Sequence, residues 1–342
     1  MSLHGPESCA GCNKTDCHLS FVSREIAPVD ERTAFVLDEA WPEHRRFVEG
    51  QRREDDQMLR PGVYGKTLGR YDWGGGREAA PLQTVFRHVA MRRVAKARGA
   101  VRQAAYLKAD EGVAGALGRK IDYRARHVVV SQTLLPFLWR DGVLGGRSFD
   151  VLMTRYPLAE IHRRLDAVQA RHPDSVTIGD FRAPEAVVLA EAEALAAARR
   201  VVTPHHDIAE GFGARALWLD WQMPAVRPRQ AGERLAFLGP VVTRQGARDV
   251  REMARGLAEP LIVFGAELEG AGFWEGVAID RRSFGPGWLD DIGAIVHPAV
   301  MTAAPRRLLE AVAHGVTVYA EPSCGLAPGQ FRPLADLRLE LT

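Results

Sequence analysis

Four short apolar runs, His127-Val-Val-Val-Ser131, Phe149-Asp-Val-Leu-Met153, Ser175-Val-Thr-Ile178 and Arg200-Val-Val-Thr203, decide the fold class of the N-terminal half. Each has the length and β-branched content of a buried strand. The stretches between them carry helical patterning, from Pro157 to Arg171 and over the Ala/Glu-rich segment Pro184 to Arg199. Strands that alternate with helices of this length belong to a parallel sheet covered on both faces. A fifth strand is expected at Ala216-Leu-Trp-Leu219. The stretch Gln222 to Gly232 holds two prolines and a glycine without periodicity and reads as an interdomain linker.

Beyond it the alternation resumes. Leu235-Ala-Phe-Leu238 leads into a helix near Ala247 to Leu257, Leu261-Ile-Val-Phe264 ends at Gly265, and Ala294-Ile-Val296 ends at His297-Pro298. A helix over Arg306 to Ala313, stopped by Gly315, precedes a last strand at Val316-Thr-Val-Tyr319. The expected fold class is therefore α/β with two doubly wound, Rossmann-like domains. Such sheets bind ligands outside the carboxyl ends of their strands. No long GxGxxG fingerprint and no phosphate-loop lysine motif is present, which argues against a dehydrogenase or an ATPase.

The chain has 342 residues, 46% of them hydrophobic and 26% charged, with a formal net charge of +2. That balance gives no global electrostatic reason for a nucleic-acid coat or a membrane-surface protein, so partners must be read from local patches. Residues 1 to 59 carry seven basic and twelve acidic residues, a local charge of −5. Residues 60 to 108 carry eleven basic residues against Asp72 and Glu78, a local charge of +9. Leu82 to Leu107 reads as a helix in this basic stretch, with Val85, Val89, Val94 and Val101 among the cations. It is either a solvated helix face or a surface for a phosphate-bearing substrate, with Gly74-Gly75-Gly76 ahead of it as a possible anion-binding turn. No segment is apolar over the ~18 residues of a membrane span, and no cationic stretch and apolar run opens the chain, so the expected location is cytoplasmic.

Cys9, Cys12 and Cys17 crowd into nine residues, and the fourth cysteine, Cys324, stands near the far end. In a reducing compartment such spacing points to metal ligation rather than disulfides. Four thiolates would suit a 4Fe-4S cluster with none left over, and the lack of a second Cys-x-x-Cys pair favours iron–sulfur over zinc. The zinc alternative would take His4, His18 or Cys324 as its fourth ligand.

Phe237-Leu-Gly239 through Gly246, Val263-Phe-Gly265, His297-Pro298, Leu309-Glu-Ala-Val-Ala-His-Gly315-Val-Thr-Val318 and Gly325-Leu326 together resemble the donor-binding half of a GT-B glycosyltransferase of the retaining, glycogen-synthase-like kind. The resemblance covers residues 216 to 328 and implies transfer of a sugar from a nucleotide-sugar donor to an acceptor. It implies donor contacts at Gly239, Arg244, Gly265, His297, Glu310 and Gly325, with Glu310 on the donor ribose. The family's first glutamate falls on Thr302, and its diphosphate-binding arginine and lysine fall on Pro240 and Gln245. Arg244, Arg306 or Arg307 would have to take over that charge. The domains implied are a metal-binding extension over 1–60, an acceptor-side domain over 61–222 and a donor-side domain over 233–330.

His205-His206 follow the strand that ends at Thr203-Pro204, where a cleft residue would sit. Together with Glu310 they are the catalytic candidates, as a proton shuttle or as ligands of a sugar hydroxyl, and the alternative is a helix-capping or packing pair. Two further readings come from other classes. One is a non-catalytic metal-cluster binding or sensing protein on the same frame, and the other a nucleic-acid-binding protein that uses the basic region, although no aromatic-interleaved basic motif supports it.

Overall fold

The computed structural model describes residues 32–63, 69–75, 77–78, 80–97 and 99–340. Two compact units emerge. One holds the chain through Met153 with Phe181–Thr203 and Phe212–Leu219; the other holds Thr154–Asp180, Pro204–Gly211 and everything from Asp220 onward. The described residues place Cys324 but not Cys9, Cys12 or Cys17.

The N-terminal unit is built on a sheet of seven strands: β1 (Arg32–Val36), β2 (Gln57–Arg60), β3 (Arg77–Glu78), β4 (Ala125–Ser131), β5 (Ser148–Leu152), β6 (Arg200–Thr203) and β7 (Ala216–Trp218). Their order is β3-β2-β1-β4-β5-β6-β7, and every pair is parallel. Its helices are α1 (Pro42–Gln51), α2 (Pro81–Arg93), α3 (Gly99–Gly118), α4 (Leu135–Arg140) and α6 (Glu185–Ala197), whereas α5 (Leu158–Arg171), after β5, and all but the last residue of α7 (His206–Phe212), after β6, group with the C-terminal unit. Phe35, Leu37, Met58, Val129, Leu152 and Val202 fill the core on one face of this sheet with Val48 and Trp73.

The C-terminal unit carries six strands: β8 (Arg234–Phe237), β9 (Leu261–Phe264), β10 (Ile279–Arg282), β11 (Ile292–His297), β12 (Thr317–Ala320) and β13 (Arg332–Pro333). They are again all parallel, in the order β10-β9-β8-β11-β12-β13. Helices α8 (Ala247–Ala254), α9 (Arg306–Ala313) and α10 (Leu334–Glu340) belong to it. Both sheets reverse strand order once, between β1 and β4 and between β8 and β11, which is the doubly wound arrangement expected from the alternating pattern.

Three local expectations change. The stretch 1–60 is not wholly an extension, because residues 32–60 supply β1, α1 and β2, and β1 pairs on both sides near the middle of the sheet. Ser175–Ile178 is not a strand: Val176 is exposed, and the Ser175 and Thr177 hydroxyls donate to the Glu269 carboxylate instead. Ser175 Oγ also accepts the Thr177 backbone N–H at 3.3 Å, a local bond that competes with a strand ladder. The basic helix is broken into α2 and α3 by a turn at residues 94–97.

At the strand-order reversal of the N-terminal unit, the first carboxylate after β1 is fully desolvated. Asp38 receives both terminal nitrogens of Arg87, at 2.6 and 3.0 Å, and the Thr133 hydroxyl at 2.8 Å. Its backbone N–H donates to Ser131 Oγ and its carbonyl accepts the Trp73 indole N–H. Arg87 also reaches Asp110 at 2.8 Å, so one buried cation serves two carboxylates. With Asp110 still paired to Arg87, removing the Asp38 charge forfeits charge-assisted hydrogen bonds rather than stranding a cation, at a cost of about 1.5–3 kcal/mol. Asp38→Asn is therefore expected to lower unfolding stability on that scale, read as a shifted urea midpoint with an unchanged slope; a shift no larger than that of a surface substitution would show that Arg87 is satisfied without it.

Candidate functional site

In the C-terminal unit, the chain leaves β10 at Arg282 and crosses to β11 through Phe284-Gly-Pro-Gly-Trp288. Gly287, at φ +73°, turns the segment so that Asp290 N–H bonds the Gly287 carbonyl. This directs two aromatic side chains onto Phe264 at the end of β9. Phe284 stacks on Phe264 at 4.7 Å with a 15° interplanar angle, and Trp288 meets both rings edge-on, at 5.6 and 5.4 Å.

Helix α9 forms the facing wall. It buries Leu308, Leu309 and Ala311, which leaves positions 307, 310 and 314 on one outward stripe. The Arg307 guanidinium lies over the Phe284 ring at 4.6 Å and over Trp288 at 5.4 Å, and donates to Glu310 at 2.9 Å. His314 Nε2 accepts the Arg227 backbone N–H at 2.9 Å, so its Nδ1 carries the proton that meets the Glu310 carbonyl at 2.7 Å. Arg229 spends its guanidinium on the carbonyls of Leu289, Ile292 and His314. The linker expected at 222–232 is thus pinned as a third wall. These residues enclose a cavity of about 260 Å³.

Phe284 is thus stacked on Phe264 and held under the Arg307 guanidinium, with the partly buried Glu310 carboxylate beside them. Glu310 is the one residue expected from sequence that lies in this cavity, and Arg307, named as a substitute cation, stands next to it. Phe284, Trp288 and His314 were not expected; the Gly-Pro-Gly turn bracketed by two aromatics was the available signal.

The other expected residues gather at the strand-order reversal between β8 and β11. Gly239, at φ +50°, and Gly265, at φ +83°, close the ends of β8 and β9 back to back, and a Cβ on Gly239 would collide with the Phe264 carbonyl. Gly246, at φ +75°, lies so close to Pro298 that a Cβ would meet its ring at 2.5 Å. The turn between them is held by Glu269, which accepts the Thr243 N–H at 2.7 Å, the Ser175 and Thr177 hydroxyls, and Arg248 at 3.5 Å. Burial pushes the Glu269 carboxyl up, but the hydrogen bonds from Thr177, Thr243 and Ser175 outweigh it and keep its pKa below the ordinary glutamate value. Arg244 is largely desolvated, which pulls its pKa down to about 10 against the opposing attraction of Asp180.

Thr302, at the position where the resembled family has a glutamate, joins two buried histidines. Its hydroxyl meets His297 Nε2 at 2.8 Å and its carbonyl accepts from His205 Nε2 at 2.9 Å. His205 Nδ1 accepts the Ile208 N–H at 3.3 Å and so caps the first turn of α7. Gly325 packs on the His205 ring, where a Cβ would sit at 2.5 Å, and its carbonyl accepts the Trp221 indole N–H. Residues 204–211, expected on the acceptor-side domain, group with the C-terminal unit. His206 is only partly buried and lies 3.6 Å from Glu210.

Cys324 is fully buried beside these groups, and loss of hydration raises its thiol to about 12. Among the described residues, no group of three His, Cys, Asp or Glu side chains is placed to hold a metal. The expected ligands Cys9, Cys12 and Cys17 lie outside the described residues, so the four-thiolate iron–sulfur cluster and the zinc site are not shown. Among the described residues no helix is long and apolar enough to cross a membrane.

Desolvation lowers both His205 and His297 to about 4 from the 6.5 of an unperturbed imidazole. Between those values the unfolded chain takes up protons that the native state refuses, so their contribution is complete above pH 6.5 and is lost as pH falls toward 4. His205→Asn keeps a side-chain acceptor for the α7 cap and removes one titration. Its urea midpoint is expected to fall less steeply than that of the parent between pH 6.5 and 4, and identical slopes would remove His205 as the source.

No family model and no curated protein matches this chain. Among solved structures, it is similar to OtsA in its apo form, with 10% identity over 86% of this chain and 85% of that one and a TM-score of 0.44. It is similar to the calicheamicin glycosyltransferase CalG4, with 15% identity over 91% and 83% and a TM-score of 0.40. A UDP-glucosyltransferase from Polygonum tinctorium shows 12% identity over 89% and 82%, with a TM-score of 0.38.

Proposed function

We propose that the chain is a glycosyltransferase that takes its sugar from a nucleotide-sugar donor. The observation that carries this reading is the cavity in which Phe284, Trp288, Arg307 and Glu310 converge. The base lies against the Arg307 guanidinium and the Phe284–Trp288 wall that backs it, and the ribose hydroxyls donate to the Glu310 carboxylate. Charge-assisted hydrogen bonds to a carboxylate are the stronger kind, and two vicinal hydroxyls match its two oxygens.

The diphosphate and sugar then extend toward the Gly239–Gly246 turn and the His297–Thr302 segment, at the carboxyl ends of β8 and β11 where a doubly wound sheet receives ligands. Transfer breaks the bond between the anomeric carbon and the diphosphate oxygen, and that oxygen keeps the electron pair. Preorganised donors must meet the growing charge. At that turn the backbone amides and Arg244 are the donors on hand, where Pro240 and Gln245 stand in place of the arginine and lysine of the resembled family. His205, buried with both ring nitrogens engaged, is a positioning residue for the Thr302 segment. His206, which retains some exposure, is the histidine suited to meeting a sugar hydroxyl.

Titration calorimetry with UDP and with UDP-glucose tests the donor site directly. Glu310→Gln should weaken the affinity about 10- to 100-fold, the loss of a hydrogen bond to a charged group, and Phe284→Ala should weaken it by a similar factor through the lost stacking surface. Absence of binding by the parent protein at millimolar nucleotide, or unchanged affinity in both variants, would remove the donor site. Binding without any hydrolysis or transfer of the sugar would favour the non-catalytic ligand-binding reading.

A further inference from the structure

Helix α2 is built inside out. Its polar residues Thr84 and Arg87 are buried, at 2% and 5% exposure, while Leu82, Val85, Phe86 and Val89 stand 67%, 45%, 70% and 39% exposed. Positions 82, 85, 86 and 89 form one continuous stripe on a helix. The helix cannot roll to bury them, because Arg87 is held by Asp38 and Asp110. Helix α3, which packs against α2, exposes a further apolar residue, Val101, near its start.

The stretch that carries the stripe is cationic, with the exposed Glu111 of α3 just beyond it. From Ala79 to Ala109 there is no Asp or Glu, against seven Lys and Arg residues. Arg92, Arg93 and Lys96 are exposed where α2 ends. Water-facing Leu and Phe in a row mark an interaction surface rather than an ordinary solvated face. A second copy of this chain would bring cations against cations. A nucleic-acid duplex would satisfy the cations but, with its bases stacked on one another, offers little to cover the aliphatic Leu82, Val85 and Val89.

We propose that this face docks on a membrane surface rich in anionic phospholipid. The stripe enters the boundary between headgroups and acyl chains, and Arg92, Arg93 and Lys96 meet the lipid phosphates. The helix lies on the bilayer without spanning it. The inference rests on α2 alone and is independent of the sugar-transfer reading.

The test is flotation of the full chain with vesicles of phosphatidylcholine, alone and mixed with phosphatidylglycerol. The parent should float with the anionic vesicles, more weakly as salt rises, and remain behind with the neutral ones. Leu82→Ser with Phe86→Ser should lower the affinity at least about tenfold, and Arg92→Ala with Arg93→Ala about fivefold for each arginine. Both pairs change exposed side chains and leave Arg87 in place, so each arm reads docking independently of the other. Val176→Ser, an exposed apolar position of the other unit, should float like the parent. A parent protein that stays behind with anionic vesicles overturns the proposal, whether or not it dimerises through the stripe or is retained by an acidic protein; so does undiminished flotation of the Leu82/Phe86 pair.

Discussion

Among the described residues every strand pair is parallel, so no two neighbouring strands there can be joined by a tight turn. Each connection must travel back across a face of its sheet, and these return paths build the surfaces that matter. Helix α9 is the return from β11 to β12, and the Phe284–Trp288 segment lies on the return from β10 to β11. They descend side by side because β11 belongs to both. The cavity between them follows from parallel pairing, and Glu310 meets Phe284 and Arg307 there without being near Phe284 in sequence.

The carboxyl ends of the strands are held by buried polar groups rather than by apolar packing alone. Asp38 ties β1, Ser131 of β4, Thr133 and Arg87 together in one unit. In the other unit Glu269 fixes the turn after β8, and Thr302 links the end of β11 to the α7 cap. Each of these groups would be costly to bury singly, and each is satisfied by partners on several segments. The same device has opposite consequences at the surface. Around Glu269 it brings a glycine turn to the strand ends, whereas at Arg87 it forces an apolar stripe of α2 into water.

Much of the architecture was legible because a strand buried on both faces must be nearly all apolar. His127–Ser131, Phe149–Met153, Arg200–Thr203 and Leu261–Phe264 stand out on that ground, and Arg306–Ala313 coincides with α9 from first residue to last. β10, with the sequence Ile-Asp-Arg-Arg, escaped notice because an edge strand needs no apolar run. Ser175–Ile178 misled because its β-branched residues mimic a strand, while its hydroxyls are used on a carboxylate more than ninety residues away. The apparent single helix from Leu82 to Leu107 concealed a break and an inverted face, since periodicity reports which residues share a side and not which side points inward.

For the candidate site, sequence by itself determined the chemistry on offer: a glutamate and arginines on a helix after a glycine-bearing parallel sheet, and a pair of histidines after a strand. Local pattern is enough for that, because side-chain periodicity and turn chemistry are set within a few residues. Only the tertiary structure decided which groups meet. It placed Phe284 and Trp288 opposite Glu310, drew Arg244 partly out of water, sealed His205 and His297 against Thr302, and turned Leu82 and Phe86 outward around the anchored Arg87. Those outcomes depend on desolvation and on partners distant in the chain, which no local reading of the residues contains.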